Sequence, residues 1–99
     1  MIVVDVETTG TDPARHSIVS IGAIDFERPT RTFYRECRLF EGAAVEAAAL
    51  AVNGFTVEQI TDASKPTLES TIGEFIAWCR ESEERIPDIS SKDAIELET

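Results

Sequence analysis

Asp5 and Glu7 are the residues of this chain best placed to do chemistry. They stand in the stretch Ile2-Val3-Val4-Asp5-Val6-Glu7-Thr8-Thr9-Gly10, at the end of its most apolar run. Side chains alternate along a strand, so two residues two apart share a face. Neighbouring carboxylates repel unless a cation lies between them. Hard divalent ions such as Mg²⁺ take oxygen ligands, often only one or two of them carboxylates from the protein. A pair of such ions activates water and stabilises the leaving oxygen in phosphodiester hydrolysis. The plain alternative is a strand with Val4 and Val6 turned inward and the two acids turned to solvent. Spacing by itself leaves both open.

The elements that must hold this pair follow from periodicity. Residues 2–7 alternate and are rich in Val, which suits a strand. Residues 8–16 read as a loop, with Gly10 and Asp12-Pro13 as turn signals. Ser17 to Phe26 is a second strand so apolar that both faces are expected to be covered. Gly22 within it suggests a bulge or a close backbone neighbour. A turn at residues 27–30 leads to a third strand over residues 31–40. Short connections make the three strands an antiparallel meander. Helical spacing then takes over. Residues 43–52 form an Ala-rich helix stopped by Asn53-Gly54. Thr56 and Gln59 are spaced as a capping box. The longest helix covers residues 67–82, with Leu68, Ile72, Phe75, Ile76 and Cys79 on one stripe and Trp78 on its flank. The order of strands, then helices, is that of an α+β protein with helices on a sheet. Residues 91–97 are compatible with a turn or two of helix.

Composition narrows the classes. The chain has 99 residues, which is one domain at most, and 42% are hydrophobic, too many for a disordered chain. No apolar run is long enough to span a membrane. The N-terminus lacks a secretory pattern. Cys37 and Cys79 have no Cys-x-x-Cys spacing and are expected to be bystanders. The expected location is therefore the cytoplasm. The net charge of −10 argues against electrostatic adhesion to nucleic acid, which needs Lys and Arg. It leaves room for phosphate binding through metal ions. Most of the imbalance lies beyond residue 40, where Lys65, Arg80, Arg85 and Lys92 are the basic residues.

The longer string carries a resemblance. Val4-Asp5-Val6-Glu7-Thr8-Thr9-Gly10, then Asp12-Pro13, then Ile18-Val19-Ser20-Ile21-Gly22-Ala23-Ile24 closely resembles the first motif of the DEDD 3′–5′ exonucleases. These are the proofreading-exonuclease and oligoribonuclease relatives, built on a ribonuclease H-like fold. The likeness runs through Phe40, Asn53-Gly54-Phe55-Thr56 and the helix to Trp78. It makes residues 1–85 the N-terminal portion of an exonuclease domain. Residues 86–99 become an irregular or weakly helical tail. Ser20 departs from the acid often found there.

The resemblance implies metal-dependent hydrolysis of single-stranded DNA or RNA from the 3′ end, with two Mg²⁺ or Mn²⁺ ions in the family. Asp5 would bridge the ions and Glu7 would hold one. Thr8 and Thr9 would place backbone and hydroxyl groups near the terminal nucleotide, and Gly10 would permit the tight turn beside it. Asn53 and Phe55 lie in a segment that approaches the substrate in some relatives, although helix termination and core packing also explain them. The relatives' later motifs, an Asn-x-x-Phe-Asp and one with His or Tyr and a fourth carboxylate, are not matched here. His16 reads as a surface loop residue and Tyr34 as core or sheet-edge packing. The expected fold is thus a truncated ribonuclease H-like one, with activity of this chain weak or absent and the question of an enzyme left open. The alternative is a non-catalytic remnant or interaction module, completed by another polypeptide or by strand-edge pairing with itself.

Overall fold

A computed structural model describes residues 1–85. Three strands, β1 (Ile2–Thr8), β2 (Ile18–Asp25) and β3 (Arg28–Glu36), are followed by α1 (Ala47–Asn53), α2 (Val57–Ile60) and α3 (Leu68–Arg85). The sheet is antiparallel in the order β1-β2-β3. This is the expected α+β meander followed by helices. The helical turn or two expected at residues 91–97, and the tail from residue 86, lie outside the described residues.

Register decides which side chains share a face. Val4 lies opposite Ala23 and Val6 opposite Ile21, while Ala23 and Ile21 lie opposite Phe33 and Arg35. The helix α3 covers this face over β2 and β3, and leaves Val4 and Val6 of β1 exposed. Its aromatic residues Phe75 and Trp78 lie 5.5 and 5.9 Å from Phe33, centroid to centroid. Arg31 spans the same interface, with its guanidinium 5.0 Å from the Trp78 ring centre and 2.8 Å from Glu81 Oε1. Among the described residues the buried apolar core is small: Val19, Ile21, Phe33, Cys37 and Ile60.

The inward stripe of α3 differs from the expected one. Ile76 is exposed, and Thr71 and Ser82 are buried instead. Their hydroxyls are satisfied, which removes the cost of burying them. Thr71 donates to Thr67 C=O at 2.9 Å. Ser82 donates to the Asp25 carboxylate and accepts from Arg31 Nε at 3.1 Å. Asp25 is itself fully buried, and its other oxygen accepts the Glu27 N–H at 3.1 Å. One buried carboxylate therefore closes the β2–β3 turn and ties it to α3. That local hydrogen bond tightens the turn, so β3 begins at Arg28 rather than at residue 31. Pro29 is tolerated because β3 is an edge strand. β3 ends at Glu36 rather than residue 40, because the chain leaves the sheet. Arg38 N–H donates to Pro66 C=O at 3.0 Å and Leu39 N–H to Ile60 C=O at 2.9 Å.

The first helix starts at Ala47, later than expected. Residues 43–46 are held in extended contacts: Ala44 N–H donates to Arg15 C=O at 2.7 Å and Glu46 N–H to Thr9 C=O at 2.8 Å. Its stop is as expected, with Gly54 at φ 80° closing onto Leu50 C=O. The capping box is present in full, Thr56 Oγ1 accepting from Gln59 N–H and Gln59 Oε1 from Thr56 N–H. β2 is covered less completely than expected, since Gly22, Ala23 and Ile24 remain partly exposed. Both cysteines are free thiols.

The Ser82 hydroxyl, then the Glu27 amide, hold the Asp25 carboxyl below the usual carboxylate range, against the opposing effect of burial. A group with a lowered folded-state pKa contributes stability above its unfolded value, and loses it as the pH falls through the lowered one. Urea unfolding midpoints should therefore fall as the pH drops below about 4. Asp25→Asn should unfold more easily at neutral pH and show a flatter acid dependence. Equal acid slopes for parent and variant would remove Asp25 from this role.

Candidate active site

The site lies on the sheet face opposite α3. Asp5, Gly22 and Tyr34 form one cross-strand row, and Glu7, Ser20 and Glu36 the next. Residues directly opposite in paired strands share a face. Asp5 and Glu7 therefore project to one side, together with Tyr34 and Glu36. They line a cavity of about 430 Å³ with Ser20, Gly22, Asn53, Gly54, Phe55 and Gln59. A cavity of this volume is in the range of small-molecule sites.

The other named residues divide into two groups. Asn53 and Phe55 reach this cavity from the end of α1. Asn53 is also a tie: its Nδ2 donates to Thr8 C=O at 3.0 Å, and its Oδ1 accepts the Phe55 N–H at 3.0 Å. One side chain thus fixes the helix end against the end of β1. Thr8, Thr9 and Gly10 do not line the cavity. Thr8 Oγ1 donates to Gly10 C=O at 2.7 Å. Thr9 is fully buried, and its hydroxyl donates to Ala44 C=O at 2.7 Å and accepts the Ser17 N–H at 2.9 Å. A contact from the Thr9 hydroxyl to a nucleotide, implied by the resemblance, is therefore corrected: that oxygen is used internally.

Gly10 is required for a different reason from the expected one. Its φ is not positive. A Cβ there would stand 2.5 Å from the His16 ring. His16 is correspondingly buried and not a surface loop residue. Its Nδ1 accepts the Asp12 N–H at 3.0 Å, which leaves Nε2 to carry the proton in the neutral ring, 3.6 Å from Glu46.

Of the two expectations for Tyr34, core packing is excluded: it lies on the edge strand β3 and is 55% exposed on the site face. Its hydroxyl donates to Glu36 Oε2 at 2.9 Å, and Lys65 Nζ meets Glu36 Oε1 at 2.9 Å. Lys65 and then Tyr34 hold the Glu36 carboxyl below its ordinary range. Partial burial, followed by the Glu36 carboxylate, raises the Tyr34 phenol above its own. Gly22 makes neither a bulge nor a tight contact. A Cβ there would lie 3.7 Å from both the Asp5 carbonyl and the Tyr34 ring, so the glycine keeps the floor of the cavity low. Tyr34 and Glu36 escaped the sequence reading because only the β2–β3 register brings their parity into line with that of Asp5 and Glu7.

The exonuclease family model matches residues 2–90. The chain belongs to the exonuclease family. It carries the N-terminal part of a DEDD-type exonuclease domain, within the ribonuclease H-like fold. No curated protein matches the sequence. Membership makes nuclease chemistry on nucleic acid the family function, and exonucleases of this family generally use divalent metal ions. The donor set fits one hard cation that keeps several waters: two carboxylates on one face, at the wall of a polar cavity. Among the described residues no group of three or more His, Cys, Asp or Glu side chains is arranged to hold a metal. Glu36 lies in the cavity but is already paired with Lys65 and Tyr34.

The exonuclease-family wall depends on Thr9. Thr9→Val preserves shape but strands the Ser17 N–H and the Ala44 C=O, at a cost of about 1–3 kcal/mol. Chemical denaturation should show that loss, with Thr9→Ser close to the parent. A neutral Thr9→Val would mean that the hydroxyl does not hold the β1 end in place.

Proposed function

We propose that this chain supplies the first metal-binding wall of a 3′–5′ exonuclease site, in which Asp5 and Glu7 hold Mg²⁺ or Mn²⁺ beside a phosphodiester at the 3′ end of single-stranded DNA or RNA. The observation that carries this is the shared face: both carboxylates open on the cavity that Asn53 and Phe55 also enter. When bound, the ion supplies charge stabilisation at the phosphodiester oxygens and a more acidic water. The protein's own part is to aim the two carboxylates, which β1 does through strand parity and the Thr9 and Asn53 ties. Asn53 has both of its polar groups engaged within the fold, so its support for the site is the placement of Phe55 and Gly54. A cytoplasmic setting suits the two free thiols.

As an isolated chain the protein is proposed to bind metal weakly and to hydrolyse little. Members of a catalytic unit are strongly non-additive, so a partial set loses nearly all the rate. Calorimetry should show Mn²⁺ binding weaker than micromolar that disappears in Asp5→Asn and Glu7→Gln. Binding that persists in both variants would place the ion elsewhere. On a labelled single-stranded oligonucleotide with Mn²⁺, the chain should give little or no stepwise 3′ shortening. Robust shortening, abolished in Asp5→Ala and Glu7→Ala, would show that residues 86–99 complete the site.

β1 supports a second function, completion by another polypeptide. Among the described residues it pairs only with β2, and Val3, Val4 and Val6 are 48%, 45% and 40% exposed. An unpaired apolar edge is a template for strand addition by a second copy or a complementing chain. Concentration-dependent sedimentation should reveal self-association that Val4→Lys reduces. A strictly monomeric parent over a wide concentration range would exclude pairing with itself.

A further inference from the structure

Thr9 is tied into the fold from two segments, and His16 reaches both of them. It precedes Ser17, which bonds Thr9 through its N–H and through its C=O. Its Nε2 faces Glu46, whose N–H donates to Thr9 C=O at 2.8 Å. Its backbone pairs with Ala44, which accepts the Thr9 hydroxyl. The His16 ring closes the loop between β1 and β2. Nδ1 accepts the Asp12 N–H at 3.0 Å, and the backbone N–H of His16 donates to Asp12 C=O at 2.8 Å. Asp12 is thus held at both its N–H and its C=O by one residue. On its other side the ring leaves no room for a Cβ at residue 10. The side chain is only 2% exposed, so packing as well as hydrogen bonding keeps it in place.

We infer that His16 is a positioning residue for the acidic wall: its ring, bound to Asp12 and pressed on Gly10, sets where β1 ends and so how Asp5 and Glu7 are aimed. This rests on the proposed metal wall and deepens it. His16 does not line the cavity of the two acids, so it acts through the backbone. The path is short. Gly10 C=O accepts the Thr8 hydroxyl, and the register of β1 on β2 shifts between Glu7 and Thr8. The ring therefore bears on the residues that directly follow Glu7. A cation that takes only two carboxylates from the protein binds more tightly when both are already presented together, because less ordering is left to binding. The residue must combine a ring with an acceptor. In neutral histidine the partner of one nitrogen fixes which nitrogen carries the proton, and here Asp12 N–H leaves Nδ1 as the acceptor. A ring without that acceptor would strand the Asp12 N–H.

The test uses the full 99-residue chain. With the ring neutral, NMR of the His16 ring nitrogens should place its proton on Nε2. A proton on Nδ1 would overturn the inference, because that nitrogen could not then accept from Asp12. Calorimetry with Mn²⁺ should show affinity weakened about fivefold in His16→Phe, the scale of one net hydrogen bond. His16→Asn, whose Oδ1 can stand where Nδ1 stood, should stay within about twofold of the parent. The amide shifts of Glu7 and Thr8 should move in His16→Phe and return in His16→Asn. Gly10→Ala should weaken Mn²⁺ binding in the parent and less in the His16→Asn background, where the ring it strikes is gone. Urea unfolding separates position from stability, with every affinity compared on folded protein. A His16→Phe chain that loses stability but keeps the parent's Mn²⁺ affinity would overturn the positioning role and leave the metal wall standing. Mn²⁺ binding that does not depend on Asp5 and Glu7 would remove the wall, and the role of His16 with it.

Discussion

The arrangement of this protein's acidic wall depends on the buried hydroxyl of Thr9. β1 must end abruptly for Asp5 and Glu7 to stand at the mouth of a cavity rather than along a continuing strand. At that end Thr9 is bound on every side: its N–H to Ser17, its C=O to Glu46, and its hydroxyl to Ser17 and Ala44. Two separate segments, at Ser17 and at residues 44–46, converge on one residue. Thr9 and Ser17 are fully buried, where water cannot replace a lost partner, so their geometry is held by the penalty of breaking it. The register shift between Glu7 and Thr8 lies directly beside this knot. The pairing of β1 with β2 is thus regular through Glu7 and altered just beyond it.

The two faces of the sheet divide the work. One is packed by α3, through Phe33, Phe75 and Trp78 and the buried chain from Arg31 through Ser82 to Asp25. The other is left to carboxylates, a tyrosine and amides. A three-stranded sheet gains independent stability from an apolar face or from packing against a helix. The α3 interface supplies the burial that allows the opposite face to stay polar and open. Exposed ion pairs such as Arg35 with Glu74 contribute little to this. The aromatic cluster and the buried carboxylate contribute more, because their partners are shielded from water.

Membership of the exonuclease family and the cavity around Asp5 and Glu7 are consistent with each other. The cavity also contains residues that the family resemblance does not assign. Ser20 stands where relatives often carry an acid, and in the same cross-strand row a carboxylate appears one strand away, at Glu36. Lys65 neutralises it, so that it serves as a hydrogen-bond acceptor for Tyr34. The negative charge of the cavity is concentrated on the β1 side as a result, and the β3 side presents an aromatic ring.

Much of the fold was determined by the sequence by itself, because its signals are local. Alternation of Val with acids defines β1 and places Asp5 and Glu7 on one face whatever lies around them. Asn53-Gly54 stops a helix because Gly54 adopts a left-handed conformation at no steric cost, and Thr56 with Gln59 forms its box within four residues. Tertiary structure decided whatever depended on partners distant in the chain. Gly10 is needed because the His16 ring lies against it, and Thr9 turns inward because Ala44, thirty-five residues away, needs a donor. β3 starts early because Asp25 is held from the far end of α3. Tyr34 faces the acids because Gly22 stands between them in register. Periodicity shows which residues of one strand share a face, but only pairing and packing decide which faces of different strands coincide.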